Sequence, residues 1–164
     1  MLGKKLEDAI NTQIKDELYS SYVYQSMSAW ASSMNFEGAA RWLSMQAREE
    51  HEHGMRLYQF LLDRGGKVIL QAIPQPPADF ASLLAVFEQV QEHEGKVTAL
   101  IHQLYELALA EKDYPAQVML HWFITEQVEE EASAAQIVDT LRLAGDHPQG
   151  VLQVDRMLGT RAEE

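Results

Sequence analysis

Cysteine is absent from the 164 residues, which excludes a disulfide framework, a zinc ribbon and thiolate catalysis. Basic residues are scarce: 13 Lys and Arg stand against 25 Asp and Glu, a formal charge of −12. Such a chain repels nucleic acid and anionic membranes and draws cations, so neither nucleic acid nor membrane is an expected partner. No stretch approaches the roughly 18 consecutive apolar residues of a membrane-spanning helix. The start, Met1-Leu2-Gly3-Lys4-Lys5, runs straight into an amphipathic segment and not into a signal peptide's apolar run, which predicts a soluble cytoplasmic protein. Strand-like alternation and low-complexity tracts are also missing. With 46% hydrophobic residues the chain can bury one core, and a single domain over 1–164 is expected.

What is present is helical periodicity, punctuated at Asn35 to Gly38, Gly65-Gly66, Pro74 to Pro77, Asp113-Tyr114-Pro115 and Gly145 to Pro148. The first helix, about 5–34, carries Leu6, Ile10, Ile14, Glu17, Tyr24, Met27 and Ala31 at three- and four-residue steps on one face. The second, about 37–64, carries Leu43, Gln46, Glu50, His53, Leu57 and Phe60 on the same kind of seam. The third, about 82–110, opens at a Ser82 cap and runs through Phe87, Val90, Glu94, Val97, Ile101, Leu104 and Ala108. The fourth, about 115–143, begins near Pro115, where a missing amide proton costs nothing, and carries Leu120, Phe123, Gln127, Glu130, Ala134, Ile137 and Leu141. A short amphipathic piece over 148–159, with Val151, Leu152, Val154, Met157 and Leu158, cannot be stable alone and must dock on its own bundle or on another subunit.

Loop lengths set the topology. The turns between the first and second helices and between the third and fourth are a few residues, so each pair is an antiparallel hairpin. The connection over 65–81, about 17 residues, spans about 55 Å when extended, enough to run the full length of a helix of about 42 Å. The second and third helices are then parallel. The fold class is all-α: a four-helix bundle with one long crossover and a short fifth helix.

Register follows by counting. With the first turn centred near residue 35, Glu17 lies 18 residues before it and His53 lies 18 after it. With the other turn near 112, Glu94 lies 18 before and Glu130 lies 18 after. Glu17, Glu50, His53, Glu94, Gln127 and Glu130 thus meet at one depth on inward seams. A lone Glu on a helix is ordinarily a solvated residue, and a lone Glu-x-x-His is weak evidence of anything. Four converging carboxylates with no Lys or Arg on the same seams are different. A buried, unpaired carboxylate costs several kcal/mol, and close neighbours must otherwise take up protons. A pair of divalent cations resolves the conflict. Oxygen-rich donors with one imidazole and no sulfur suit iron or manganese, with zinc as a competitor.

These residues carry a resemblance. Glu17-Leu18-Tyr19-Ser20-Ser21, Phe36-Glu37-Gly38-Ala39-Ala40, Glu49-Glu50-x-x-His53, Asp113-Tyr114-Pro115 and Glu126-Gln127-x-Glu129-Glu130-Glu131 resemble the bacterial non-haem ferritins over essentially the whole chain. Inward-facing glutamates and Glu-x-x-His on bundle helices are the known arrangement of ferritin-like proteins, so the spacing matches that pattern and does not extend it. By this resemblance Glu17, Glu50 and His53 hold the first iron of a ferroxidase centre. Glu50 as a bridge, with Glu94 and Glu130, holds the second, and Gln127 is a hydrogen-bonding or oxygen-donor neighbour. Glu49, Glu126 and Glu129, with Glu130, correspond to a third iron site. Tyr24 reads either as a core tyrosine or, as the resemblance implies, as an electron donor or a hydrogen-bond partner of a site carboxylate. Trp122 reads as packing, with a redox role as the alternative.

Departures from sister families narrow the expectation. Gln127-x-x-Glu130 stands where bacterioferritins have a second Glu-x-x-His, and His51 stands where they have the haem-ligating methionine, so no haem is expected. A rubrerythrin-like protein would need cysteine. The resemblance implies iron storage and detoxification: Fe(II) is oxidised by dioxygen or hydrogen peroxide and kept as ferric oxo-hydroxide inside a homo-oligomeric cage of about two dozen subunits, the short helices lying around its four-fold axes.

Overall fold

The computed structural model describes residues 2–161; Met1 and residues 162–164, the ends of the expected 1–164 unit, lie outside the described residues. Five helices follow in order: α1 (Lys4–Ser33), α2 (Glu37–Asp63), α3 (Leu83–Ala110), α4 (Tyr114–Ala144) and α5 (Pro148–Leu158). Each boundary falls within one residue of its sequence expectation.

Chemistry at the ends accounts for the boundaries. Ser82 accepts a hydrogen bond from the Ala85 amide at 3.1 Å and caps α3, as its position predicts. Asp113 caps α4 through the Ala116 amide at 3.0 Å, with Pro115 in the first turn. The first three helices end in the same left-handed device. At the end of α1 Asn35 has φ 62°, while Phe36 N–H reaches back to Ala31 O and Asn35 N–H to Ser32 O. At the end of α3 Lys112 has φ 55°, with Asp113 N–H to Ala108 O and Lys112 N–H to Leu109 O. Gly65, with φ 68°, does the same for α2. Both hairpin turns are therefore equivalent, and this is why one count of 18 residues serves both.

The crossover lies along α1. Asn11 donates to Lys67 O at 2.9 Å and accepts from Ile69 N–H at 2.7 Å near its start; Ser26 donates to Pro77 O at 2.6 Å, and the Trp30 and Phe80 rings meet edge-on at 5.6 Å near its end. The chain thus returns from the foot of α2 to its head, and α2 and α3 run parallel.

Packing departs from the expected seam in α2. Phe60, expected inside, is only partly buried, and Leu61 takes its place in the core with no exposure, because the seam drifts as a 3.6-residue period passes through whole-number steps. Gly38 is in the first turn of α2, as the expected helix bounds place it. A Cβ there would sit 1.7 Å from Asp155 O, so glycine permits α5 to dock against its own bundle on α2 and α4. Val154, Leu158 and Asp155 of α5 are buried, while Leu152 and Met157 are exposed. No described helix is long and apolar enough to cross a membrane.

The interior is divided. One apolar cluster, including Tyr24, Leu43, Phe87 and Val138, fills the end near the two hairpin turns, and another, including Leu6, Leu61, Ile101 and Phe123, fills the other end. Between them lies a polar band.

Candidate metal centre

The band is made of the six residues the register predicts. Glu17, Glu50, Glu94 and Gln127 are at most 3% exposed, His53 is 5% exposed and Glu130 is 7% exposed. Side-chain ligand atoms of Glu17, Glu50 and His53 lie within 4.8 Å of one another, and so do those of His53, Glu126 and Glu130. His53 belongs to both groups.

Each glutamate toward the α1 and α2 side is held by one oxygen and left free at the other. Gln13 donates its amide to Glu17 Oε1 at 2.9 Å, and Gln46 donates to Glu50 Oε1 at 3.2 Å. Glu17 Oε2 and Glu50 Oε2 are buried with no hydrogen-bond partner; Glu50 Oε2 lies 3.4 Å from His53 Nδ1. Glutamine sits four residues before glutamate in both cases, the separation at which helical side chains meet. The sequence contained this signal, Gln13-x-x-x-Glu17 and Gln46-x-x-x-Glu50, but the glutamines were not read as site residues.

On the other side Glu94 is gripped at both oxygens. Tyr24, fully buried, donates its hydroxyl to Glu94 Oε1. Gln127 Nε2 donates to Glu94 Oε2 at 3.2 Å and lies 3.1 Å from Thr98 Oγ1. The hydrogen-bonding reading of Tyr24 and Gln127 thus has a geometry, with Glu94 on α3 as the partner of both.

Burial dominates the electrostatics. Desolvation, reinforced by the Glu50 carboxyl, pushes Glu17 up to about 8. Desolvation and then the charge of Glu94 lift Glu130 to about 7. Glu50 is driven well above the usual carboxylate range by the same two causes. Desolvation raises Glu94 too, opposed by its bonds from Tyr24 and Gln127. Among the described residues no Lys or Arg is buried in this band. A divalent cation would supply what the protein withholds: positive charge at the two partnerless oxygens.

The centre opens sideways. Among the described residues no Cα of α2 comes within 8 Å of one of α4, and a groove of about 1150 Å³ runs between these helices. Glu49, Glu126, Glu129 and Glu130 all line it; of these, Glu126 and Glu130 bring ligand atoms within 4.8 Å of each other, with His53 as the third member of the group. Glu49 is already engaged, however, in an ion pair with Arg161 at 2.7 Å. The Trp122 ring meets that of His53 edge-on at 5.2 Å, and Arg56 lies over it at 3.8 Å from the ring centre. Asp155 and Arg161 were missed by sequence reasoning, since no local pattern tells where a short helix docks.

Comparison with known proteins agrees with this architecture. The family pattern described as Ferritin-like domain matches residues 7–144. A bacterial non-heme ferritin of Escherichia coli O6:H1 is 39% identical over 160 residues, covering 98% of this chain and 97% of that protein. One from Bacteroides fragilis is 41% identical over 161 residues, covering 98% of this chain and all of that one. Among solved structures, an open pore ferritin from the archaeon Archaeoglobus fulgidus superposes with a TM-score of 0.97 at 42% identity, covering 99% of this chain and 100% of that one. A bundle that brings inward-facing glutamates and a Glu-x-x-His pair to one buried level, matched end to end by such relatives, belongs to the ferritin family.

Proposed function

We propose that this chain takes up Fe(II), oxidises it at the buried band and stores the ferric product as an oxo-hydroxide mineral inside a closed shell of copies of itself. The observation that carries the reading is the pair of partnerless oxygens, Glu17 Oε2 and Glu50 Oε2, facing His53 in the interior.

In this reading Fe(II) is the substrate. Glu17, Glu50 and His53 receive one ion; Glu50, Glu94 and Glu130 receive the other, with Glu50 bridging. Gln13 and Gln46 fix one oxygen of Glu17 and of Glu50 and so aim the other at the ion, which lowers the cost of ordering the ligands when metal arrives. Tyr24 and Gln127 do the same for Glu94. Oxygen donors hold Fe(III) more strongly than Fe(II), so the ligand set favours oxidation. Each ferrous ion gives up one electron. Dioxygen accepts two electrons and two protons to become hydrogen peroxide, or hydrogen peroxide accepts two of each to become two waters.

The groove supports the onward path. An oxygenase acting on an organic molecule would need a wholly apolar pocket beside the metals; this groove sets Glu49, Glu52, Glu126 and Glu129 among Met55, Phe60, Met119 and Trp122. Carboxylates pass cations. The relatives' name, bacterial non-heme ferritin, supports storage, and a shell of 24 subunits is the assembly we assign.

Stopped-flow oxidation of Fe(II) in air tests the centre. The wild-type protein shows a fast phase that Glu50→Ala and His53→Ala each lose, and equal fast phases in all three proteins would end this reading. The mass of the assembly, together with its iron content after loading, tests the shell.

A further inference from the structure

The acidic groove carries its own cation. Arg161, three residues past the end of α5, reaches back into it and places Nη2 against both oxygens of Glu49, at 2.9 and 2.7 Å. Its Nη1 donates to Gln46 Oε1 at 2.9 Å, and its Cζ lies 4.9 Å from the centre of the Trp42 ring. Gln46 is fully buried, and its amide nitrogen bonds Glu50 Oε1. One guanidinium therefore neutralises Glu49 and orients the glutamine that holds the bridging carboxylate. Among the described residues the other Lys or Arg lining the groove is Arg56, which lies over the face of Trp122.

Glu126 and Glu130 bring ligand atoms within 4.8 Å of His53 and of each other, so a cation leaving the buried band meets them first. Glu49 would complete that set from α2, but both of its oxygens are engaged by Arg161. The pair is neither sealed nor loose: the side chains of Arg161 and Glu49 are 24% and 25% exposed. An ion pair at that depth is weak enough to exchange and strong enough to compete.

We propose that Arg161 is a tethered cation that withholds Glu49 from metal, so that a third metal ion binds in the groove only by displacing the guanidinium. This rests on the reading of the buried band as a dinuclear centre. The two inner positions then fill ahead of the groove. Displacement of Arg161 also frees Gln46 Oε1, which ties arrival of the third ion to the grip on Glu50. The docking of α5 through Asp155 fixes the short tether, so the groove keeps its internal charge only while α5 is in place.

Calorimetric titration of the full-length, assembled protein with Zn(II), which cannot be oxidised, tests this without any turnover. The wild-type chain takes two tight equivalents and a weaker third. In Arg161→Gln the third equivalent tightens by up to about fivefold, as loss of a competing, partly exposed ion pair requires. Arg161→Gln combined with Glu49→Gln loses the gain. An isotherm for Arg161→Gln that overlays the wild type overturns the proposal, and so does a gain that survives Glu49→Gln. Should Arg161→Gln fail to assemble, Arg161→Lys serves in its place. An ammonium cannot span Glu49 and Gln46 in the same fork, so it tightens the third step by a smaller factor, and no tightening counts against the proposal. Absence of the two tight equivalents from the wild type sinks the dinuclear reading itself, a result distinct from an unchanged third step.

Discussion

Asp155 on α5 accepts the Ala39 amide proton at 2.8 Å, joining the first turn of α2 to a helix 116 residues away. This bond satisfies a donor that α2 cannot satisfy itself and puts a carboxylate at the positive end of the helix. Phe36, the residue before α2, offers no side-chain cap, so the cap comes from a distance.

Asp155→Ala should therefore destabilise the protein by about 1–2 kcal/mol, the usual worth of a helix cap. Gly38→Ala should be worse, since its Cβ would collide with the Asp155 carbonyl and push α5 off. Thermal melts give the order, and hydrogen exchange of α5 amides gives the cause. Normal protection of α5 in Gly38→Ala would refute the account of the close approach.

Metal-free Glu50→Gln should be at least as stable as the metal-free wild type, by up to about 1 kcal/mol, because an amide is cheaper to bury than a carboxyl crowded by Glu94 and Glu130. Zinc should raise the melting temperature of the wild type and much less that of the variant. Urea unfolding with and without Zn(II) measures both. A large loss of metal-free stability would mean that Glu50 is structural.

Tyr24→Phe removes the hydroxyl from Glu94 and leaves Glu94 Oε1 without that donor in the interior. A lost bond to a charged acceptor is worth about 1.5–3 kcal/mol. The second Zn(II) equivalent should weaken by at least tenfold while the first is nearly unchanged, as calorimetry would show. Equal weakening of both would assign Tyr24 to packing and not to Glu94.

The Arg64–Asp113 pair should give stability a pH signature. Arg64 reaches both Asp113 oxygens, at 2.7 and 2.8 Å, and holds the carboxyl below its usual range. A depressed acid contributes fully above its unfolded value, about 3.9, and the contribution disappears as pH falls through the lower folded value. Asp113→Asn should thus be less stable than wild type at neutral pH, with a gap that narrows below about pH 4. A gap independent of pH between 7 and 2 would leave only the cap at Ala116.

The helices and the level of the polar band were legible in the sequence for a physical reason. Both hairpin turns use the same left-handed closure, at Asn35 and Lys112, so residues at equal counts from each turn arrive at equal depth. The seams were legible because Glu17, Glu94 and Glu130 fall on the same three- and four-residue steps as Ile14, Val97 and Ala134. Phe60 was misplaced by one position because those steps only approximate the helical period. Asp155 and Arg161 were out of reach, since their partners depend on how α5 lies on the bundle. Gln13 and Gln46 were within reach, for their spacing from Glu17 and Glu50 is local.

The two hairpins contribute unequally. On the proposed ligand assignment, Glu17, Glu50 and His53 all come from the α1–α2 hairpin, whereas Glu94 and Glu130 come from α3–α4 and would share Glu50 from across the bundle. A ribosome releases the first set entire, within the opening 64 residues, before any of the later ligands has been made. On that assignment, mutations in the later half would spoil one metal position and spare its neighbour, while damage at Glu50 would cost both, so purifying selection should weigh most heavily on that single codon.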